Sequence, residues 1–388
     1  MASHAEKSMK KTFKFKLYAA KRSKKLHNLI DIAYEIYNYC IALHRRYYRI
    51  TGKHLNKYQL QKHLAKAKKI PKYSHWNKLG SQAIQDITDR IELAYQHYFD
   101  MLKTSKKCSP PGFRKRIKYK SFTLKQAGYK LLEGNKVRIG DTEYKYYKSR
   151  EIEGQIKTVT VKRDALGDIY ISFSCEVSQE IQAKKTTSDK IVGFDFGLKT
   201  FLTSSDGLII HAPEPFKRGA LRVKKASKSL SSKEKGSSHW HQARLVLARA
   251  YKDQVNIRDD FQCKLAQRLA QVYDVICLED LNMKGMQRLW GRKINDLGFS
   301  NFLRHLEYQC QKKGTKIISI DRYYPSSKEC HNCFFIKKDL SLKEREWLCP
   351  HCKTMHQRDK NAAINIARVG ASTLGLGGVR PTTLATTA

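Results

Sequence analysis

Ile191-Val-Gly-Phe-Asp195-Phe-Gly-Leu-Lys-Thr-Phe-Leu-Thr203 is the stretch on which the reading of this chain turns. Its first half is a short apolar run, as expected of a buried strand. The run carries one carboxylate, Asp195, with Gly197 two residues on. A turn at Asp206-Gly207 and a further strand, Leu208 to His211, extend it as an antiparallel meander. Towards the C-terminus a long helix is expected at roughly Gln242 to Ala270. An apolar strand, Val272 to Leu278, then ends in Glu279-Asp280. Another, Thr315 to Ile320, ends in Asp321-Arg322, and a final helix begins near Asn361. This alternation suits an α/β domain of RNase H-like type over residues 190–370.

Upstream the pattern changes. A polar linker, Ile181 to Lys190, precedes that domain. Ser121 to Val177 reads as strands, with Thr158-Val-Thr-Val-Lys162 and Ile169 to Cys175 flanking a turn at Leu166-Gly167-Asp168. Thr12 to Leu17 alternates apolar and basic residues, so it is expected to join them in a small β-barrel over 9–22 and 106–180. Between lies a helical insertion, 23–105, with helices at Leu26 to Tyr48, Lys57 to Lys68 and about Gly80 to Met101. The surplus tyrosines on these helices read as core residues, with base stacking as the alternative. Cys108 to Lys120 is a Pro-, Gly- and Lys/Arg-rich connector. Met1 to Ser8 reads as a short polar leader or scar, and 371–388 as a disordered Gly/Thr-rich tail. Lys217 to Lys235, basic and Ser-rich, is expected to be mobile without a ligand.

The 388 residues include 76 Lys and Arg against 35 Asp and Glu, a net charge of +41. Such an excess strains a compact state unless a polyanion relieves it, so nucleic acid is the expected partner. A membrane surface is the alternative, but no run of about 18 apolar residues could span a bilayer. Six cysteines (Cys40, Cys108, Cys175, Cys263, Cys277 and Cys310) are scattered, as ordinary thiols in a reducing cytosol would be.

The other four cluster. Cys330-His-Asn-Cys333 is followed after 15 residues by Cys349-Pro-His-Cys352. Two such knuckles supply four soft ligands for one closed, structural zinc ion, in a ribbon over 325–356. His331 and His351, inside the knuckles, are the competing ligands.

Three carboxylates stand out for another chemistry. Phosphodiester cleavage by two metals needs acids converging from separate elements. Asp195 ends one buried strand, Glu279 ends a second, and Asp359 opens the last helix after Arg358. Hard oxygen ligands of this kind suit magnesium. Each has a plainer explanation, and for Asp359 that is helix N-capping. His239-Trp240-His241 matches the metal pair of single-strand relaxases and some transposases. It stands before a helix rather than on a strand, so contact with phosphate is the alternative.

These blocks resemble the TnpB family of transposon-encoded, RNA-guided DNA nucleases, relatives of the type V CRISPR effectors. Gly193-Phe-Asp195-Phe-Gly-Leu-Lys199 is similar to its first RuvC motif. Leu278-Glu279-Asp280-Leu-Asn282, followed by Lys284-Gly285-Met286, is similar to the second. Arg358-Asp359-Lys-Asn361-Ala-Ala-Ile364-Asn365 is similar to the third, with the zinc ribbon inserted before it. Asn256 to Asp259 lie where the family has a similar Asn/Arg pattern. Phe334 departs from the family's Gly after the second zinc cysteine.

The resemblance implies a RuvC-like nuclease in the prokaryotic cytosol, preceded by a wedge-like barrel with a helical recognition insertion. Catalysis would rest on Asp195, Glu279 and Asp359 with two magnesium ions, beside one structural zinc. A guide RNA from the transposon end would pair with double-stranded target DNA. Lys78 and Gln82, expected one helical turn apart, and less directly Tyr58 and Thr123, correspond to positions that read a short motif beside the target; Gln can bond adenine bidentately. A monomer is expected. A catalysis-free zinc-ribbon regulator and a conventional transposase are the rival readings.

Overall fold

The computed structural model describes residues 8–19, 23–104, 107–178, 190–341 and 343–374. The chain divides into two compact units at residues 180 and 181. The leader before Ser8, the linker over 181–189 and the tail beyond Leu374 lie outside the described residues.

The first unit opens with β1 (Ser8–Lys16), followed by α1 (Ser23–Thr51), α2 (Lys57–Ala67), a 3-10 segment (Pro71–Leu79) and α3 (Ser81–Lys103). Strands β2 (Ser121–Leu124), β3 (Tyr129–Leu132), β4 (Lys136–Ile139), β5 (Thr142–Lys145), β6 (Gln155–Arg163) and β7 (Ile169–Ser178) complete it. They form two antiparallel sheets, β1-β7-β6-β2 and β3-β4-β5. A bridge between Leu17 and Tyr146 joins the sheets at one corner. The N-terminal strand pairs with β7 along its length, Phe13 opposite Phe173. Its alternation is explained by this pairing: Phe13 and Phe15 are buried, while Thr12 and Lys14 on the other face stay exposed. On α1, Leu26, Ile30, Ala33, Ile36, Tyr37, Cys40 and Ile41 recur at helical spacing and enter the same core.

The second unit contains β8 (Ile191–Phe196), β9 (Leu202–Ser204), β10 (Ile209–Ile210), α4 (Pro215–Arg218), α5 (Ala220–Ser231) and α6 (Ser238–Val272). It continues with β11 (Val275–Glu279), α7 (Met283–Leu297), α8 (Phe299–Lys313), β12 (Lys316–Ile320), β13 (Glu346–Leu348), β14 (Met355–Gln357) and α9 (Arg358–Ser372). The main sheet runs β10-β9-β8-β11-β12. The first strand is therefore central, with an antiparallel hairpin on one side and parallel strands on the other. Helices α6 and α8 cover one face, where the Phe201 ring stands 5.3 Å from Phe299 and 5.1 Å from Phe302. Such aromatic pairs add about 1 kcal/mol each beyond their buried area.

Helix α9 covers the other face at close range. A Cβ on Gly193 would stand 2.1 Å from the Ala363 carbonyl oxygen, and one on Gly370 would stand 2.2 Å from Cys277 Sγ. Only hydrogen at these two positions lets the helix backbone lie on β8 and β11. The basic segment 217–235 corrects the expectation of a mobile loop. Much of it is helical, in α4 and α5, with Ala226 buried and Arg222 paired to Asp253 at 3.1 Å. Ala, Leu and Lys are strong helix formers, and packing on α6 supplies the remainder.

Candidate active site

The sheet brings two of the three acids to one edge. In the parallel pairing of β8 with β11, Phe194 lies opposite Leu278, so the next residues, Asp195 and Glu279, fall side by side at the same end of the two strands. The tight turn after Asp195 depends on Gly197, where a Cβ would meet the Thr200 carbonyl oxygen at 2.6 Å. The third acid arrives on α9, whose close approach at Gly193 sets its first turn over the same strand ends.

The charges of Glu279 and Asp359 are felt at Asp195. Burial first, then the charges of Glu279 and Asp359, push the Asp195 carboxyl up to about 8, against the opposing pull of Arg358 and Arg345. Asp195 lies deep among protein atoms yet keeps part of its surface open. Burial raises Glu279 as well, while a hydrogen bond from the Ser326 hydroxyl favours its ionised form. The charge of Glu279 is one of the causes that raise Asp195. Asp359 accepts from Arg345 at 3.3 Å. It is not the helix cap: Gln357 holds the cap position, and Asp359 sits in the first turn, where the helix dipole favours a carboxylate. The plainer explanation for Asp359 thus fails on geometry. Carboxylate oxygens are the hard donors that divalent cations prefer, so these three acids are the candidate ligands of such an ion.

The four cysteines form a tighter cluster. The ligand sulfurs of Cys330, Cys333, Cys349 and Cys352 all lie within 4.8 Å of one another. The Cys330–Cys352 and Cys333–Cys349 pairs stand 3.5 Å apart, and all four thiols are free. A tetrahedral zinc with bonds of about 2.3 Å would hold its sulfurs about 3.8 Å apart, so the cluster fits the ion. Among the described residues no other group of three or more His, Cys, Asp or Glu is this compact, the three carboxylates included. Strands β13 and β14 pair beneath it, Trp347 opposite His356. Each knuckle ends in a left-handed residue, Phe334 at φ 65° and Lys353 at φ 59°. Neither His331 nor His351 competes for the metal: the His331 ring bonds Asn361 Oδ1 at 2.9 Å, and the exposed His351 ring lies parallel to Phe335.

Several residues that tie ribbon to nuclease escaped the sequence reading. Asn361 and Asn365, buried one turn apart on α9, both donate to the Ser326 and Glu329 carbonyl oxygens. Ser326 in turn donates to Glu279. His356 places Nε2 at 3.0 Å from Cys330 Sγ, where a donor supports a thiolate. The spacing of Asn361 and Asn365 was visible; what they bond was not.

The other candidate residues lie in the first unit. Lys78 and Gln82 line a cleft of about 650 Å³ with Lys25, Asn28 and Tyr144. They are not one turn apart on a single helix. Lys78 lies in the last turn of the 3-10 segment, Gln82 lies in the first turn of α3, and Gly80 at φ 82° breaks the chain between them. Tyr58 is exposed on α2. Thr123 is buried, its hydroxyl engaged by Arg90 and Thr160. His239 and His241 fall in the first turn of α6, a helix rather than the strand a relaxase needs.

Comparison with known proteins matches two family models to this half of the chain. OrfB_IS605, described as "Probable transposase", matches residues 172–289, and the TNB domain of Cas12f1-like proteins matches residues 299–366. A Streptomyces pristinaespiralis protein named "Putative RNA-guided DNA endonuclease" is 27% identical over 381 residues, 96% of this chain and 92% of that one. Escherichia coli K12 InsQ, given the same description, is 26% identical across 76% of each chain. The mimivirus "TnpB-like protein L79" is 27% identical over 55% of this chain and 43% of its own. The chain is similar to proteins described as RNA-guided DNA endonucleases and as TnpB-like. In fold, the chain is similar to the Cas12f1 of a complex with guide RNA and target DNA, at TM-score 0.59 and 14% identity over 93% of this chain and 99% of that one. Cas-phi3 aligns at TM-score 0.51 and 11% identity over 97% and 94%.

Proposed function

We propose that this protein is an RNA-guided DNA endonuclease of a transposon that cleaves double-stranded DNA at Asp195, Glu279 and Asp359. The observation that carries the chemistry is the convergence of three carboxylates from β8, β11 and α9, felt as the raised Asp195. The names of the full-length relatives carry the RNA guidance and the DNA target.

Asp195, Glu279 and Asp359 would hold two magnesium ions, which supply Lewis-acid activation for phosphodiester hydrolysis. The chain's own part is to assemble the acids and control their protons. Ser326 keeps Glu279 oriented and ionised. Arg345 steadies Asp359. Burial and the neighbouring acids raise Asp195, so a bound cation would favour its ionised form. Four cysteines hold zinc, and the ribbon they close anchors α9 through Asn361 and Asn365.

The guide RNA pairs with one DNA strand and so supplies sequence specificity. The helical insertion and the strands around it read a short motif beside the target, with Lys78 and Gln82 facing the cleft and Tyr58 exposed on α2. Thr123 contributes from beneath, through Arg90. The +41 charge supports a long polyanionic partner.

The conventional-transposase reading has the family description in its favour. It lacks a strand-borne histidine pair, since His239 and His241 are helical. Purified complex with its RNA, magnesium and a matching plasmid separates the readings. Alanine at Asp195, Glu279 or Asp359 should each abolish cutting and leave plasmid binding in place. Cutting that survives all three substitutions would overturn the assignment of the site.

A further inference from the structure

The helical insertion contains a second aromatic site that the motif-reading cleft does not use. His44, Arg45 and Tyr48 from α1, His54 from the turn after it, and Tyr95, Tyr98, Phe99 and Leu102 from α3 line a pocket of about 210 Å³, closed at one side by Pro110. We propose that this pocket takes one unpaired nucleobase of a single strand, by stacking.

The site is built, and its shape is held from behind. His44 is buried, and its ring lies flat on Tyr95 with centroids 3.9 Å apart and planes 15° from parallel. His54 sets its edge against both Tyr95 and Phe99. Glu92 lies 3.2 Å from His54 Nε2, and His54 Nδ1 lies 2.9 Å from His44 Nε2. A carboxylate only accepts, so with neutral rings Nε2 of His54 carries the proton towards Glu92 and Nδ1 accepts from His44. Burial and the neighbouring His54 lower His44 to about 4, which keeps its ring neutral near pH 7. The chain of bonds fixes both ring planes.

The front of the pocket is open and apolar. Tyr48 is 60% exposed, Phe99 38% and Leu102 49%. Arg45 is stacked on the exposed Phe113 ring, 4.7 Å from its centroid. Arg45, Arg46 and Arg49 fall within one stretch of α1, with Lys53 just beyond. Flat aromatic walls bordered by guanidinium groups match a base and its phosphates better than an aliphatic chain. No carboxylate lines the opening, as a lysine- or arginine-bearing peptide would require.

The inference rests on the nucleic-acid-binding part of the proposed function and not on cleavage. The test measures binding of the full chain to 12-nucleotide uridine RNA, thymidine DNA and a wholly abasic strand of equal charge. Stacking of one base contributes a factor of roughly five to a hundred in affinity. Tyr48→Ala, at an exposed position outside the core, should weaken binding to a base-bearing strand by about fivefold or more and leave abasic binding unchanged. Whether the RNA or the DNA arm falls identifies the source of the base. Phe99→Ala should do the same, with thermal melting used to confirm that the variant folds. Equal losses on base-bearing and abasic strands, or no loss on either, would overturn the proposal. A plasmid left intact by the wild-type complex, while Tyr48→Ala still weakens binding to base-bearing strands alone, would sink the nuclease reading and leave this one standing.

Discussion

The hydroxyl of Ser326, at the mouth of the zinc ribbon, donates a hydrogen bond to the carboxylate of Glu279 at the end of β11. The carbonyl of the same residue is held by Asn361 and Asn365 of the helix that carries Asp359. One loop residue therefore links the ribbon to two of the three acids. Partners that orient a metal-binding carboxylate typically contribute roughly 10- to 100-fold to metal affinity or activity. Ser326→Ala is expected to slow cleavage by about that factor, with partial recovery at high magnesium. Glu279→Ala should show no recovery. A Ser326→Ala enzyme with wild-type rates at limiting magnesium would remove the link.

Zinc removal should act through the same loop. The cysteine cluster closes the ribbon that positions residues 326–331 against α9. Chelation is expected to abolish cleavage before it melts the five-stranded sheet, read by activity beside far-ultraviolet circular dichroism. Full activity after verified zinc loss would make the ribbon dispensable for placing Asp359.

Substitution of Gly193 tests the seat of α9. A methyl group there would lie 2.1 Å from the Ala363 carbonyl oxygen and 2.4 Å from the Ala367 nitrogen, both backbone atoms that cannot swing aside. Gly193→Ala should destabilise the nuclease unit by about 1–3 kcal/mol and reduce cleavage further by displacing Asp359. An unchanged melting temperature would contradict the close packing.

Both zinc knuckles end in left-handed residues that are not glycine. A side chain in this conformation costs about 1–2 kcal/mol. Lys353→Gly should therefore raise the melting temperature of the zinc-loaded protein, within the smaller gain left by glycine's freedom in the unfolded chain. Phe334→Gly should gain less, since the Arg368 guanidinium sits 4.1 Å over the Phe334 ring and that contact would be lost. A fall in melting temperature for Lys353→Gly would show that no strain is stored there.

The pH dependence of stability has a defined sign. The Asp195 carboxyl rises from an ordinary value of 3.8 to about 8 on folding. Between these values the native state holds a proton that the unfolded chain has released. Its stability therefore falls as pH rises through that window. Raised Glu279 adds in the same direction. In magnesium-free buffer Asp195→Asn should melt higher than wild type near pH 8 and show a flatter profile. Parallel profiles for the two proteins would mean that Asp195 is not compressed against its neighbours.

Much of the site was visible in local sequence. Asp195 and Glu279 close short apolar runs bounded by Gly and Asn, and the cysteine spacing fits one metal. What local pattern could not reveal was tertiary. Asp359 looks like a helix cap in isolation, and only the pairing of β13 with β14 moves the cap to Gln357. Residues 217–235 look like a solvated basic loop because the helix they pack on lies beyond them in sequence. Lys78 and Gln82 look like one helical face until Gly80 turns the chain. Ser326 carries no motif, and its importance arises from residues 47 positions before it and 35 to 39 after it.

The central claim is that guide RNA selects the DNA which Asp195, Glu279 and Asp359 cut. The most direct measurement gives the purified complex, with magnesium, two plasmids that differ only in the segment matching the guide. The account predicts linearisation of the matched plasmid alone, a switch to the other plasmid when the guide segment is exchanged, and no product with Asp195→Ala. Cutting of both plasmids, or cutting that ignores the exchange of guide, would contradict it.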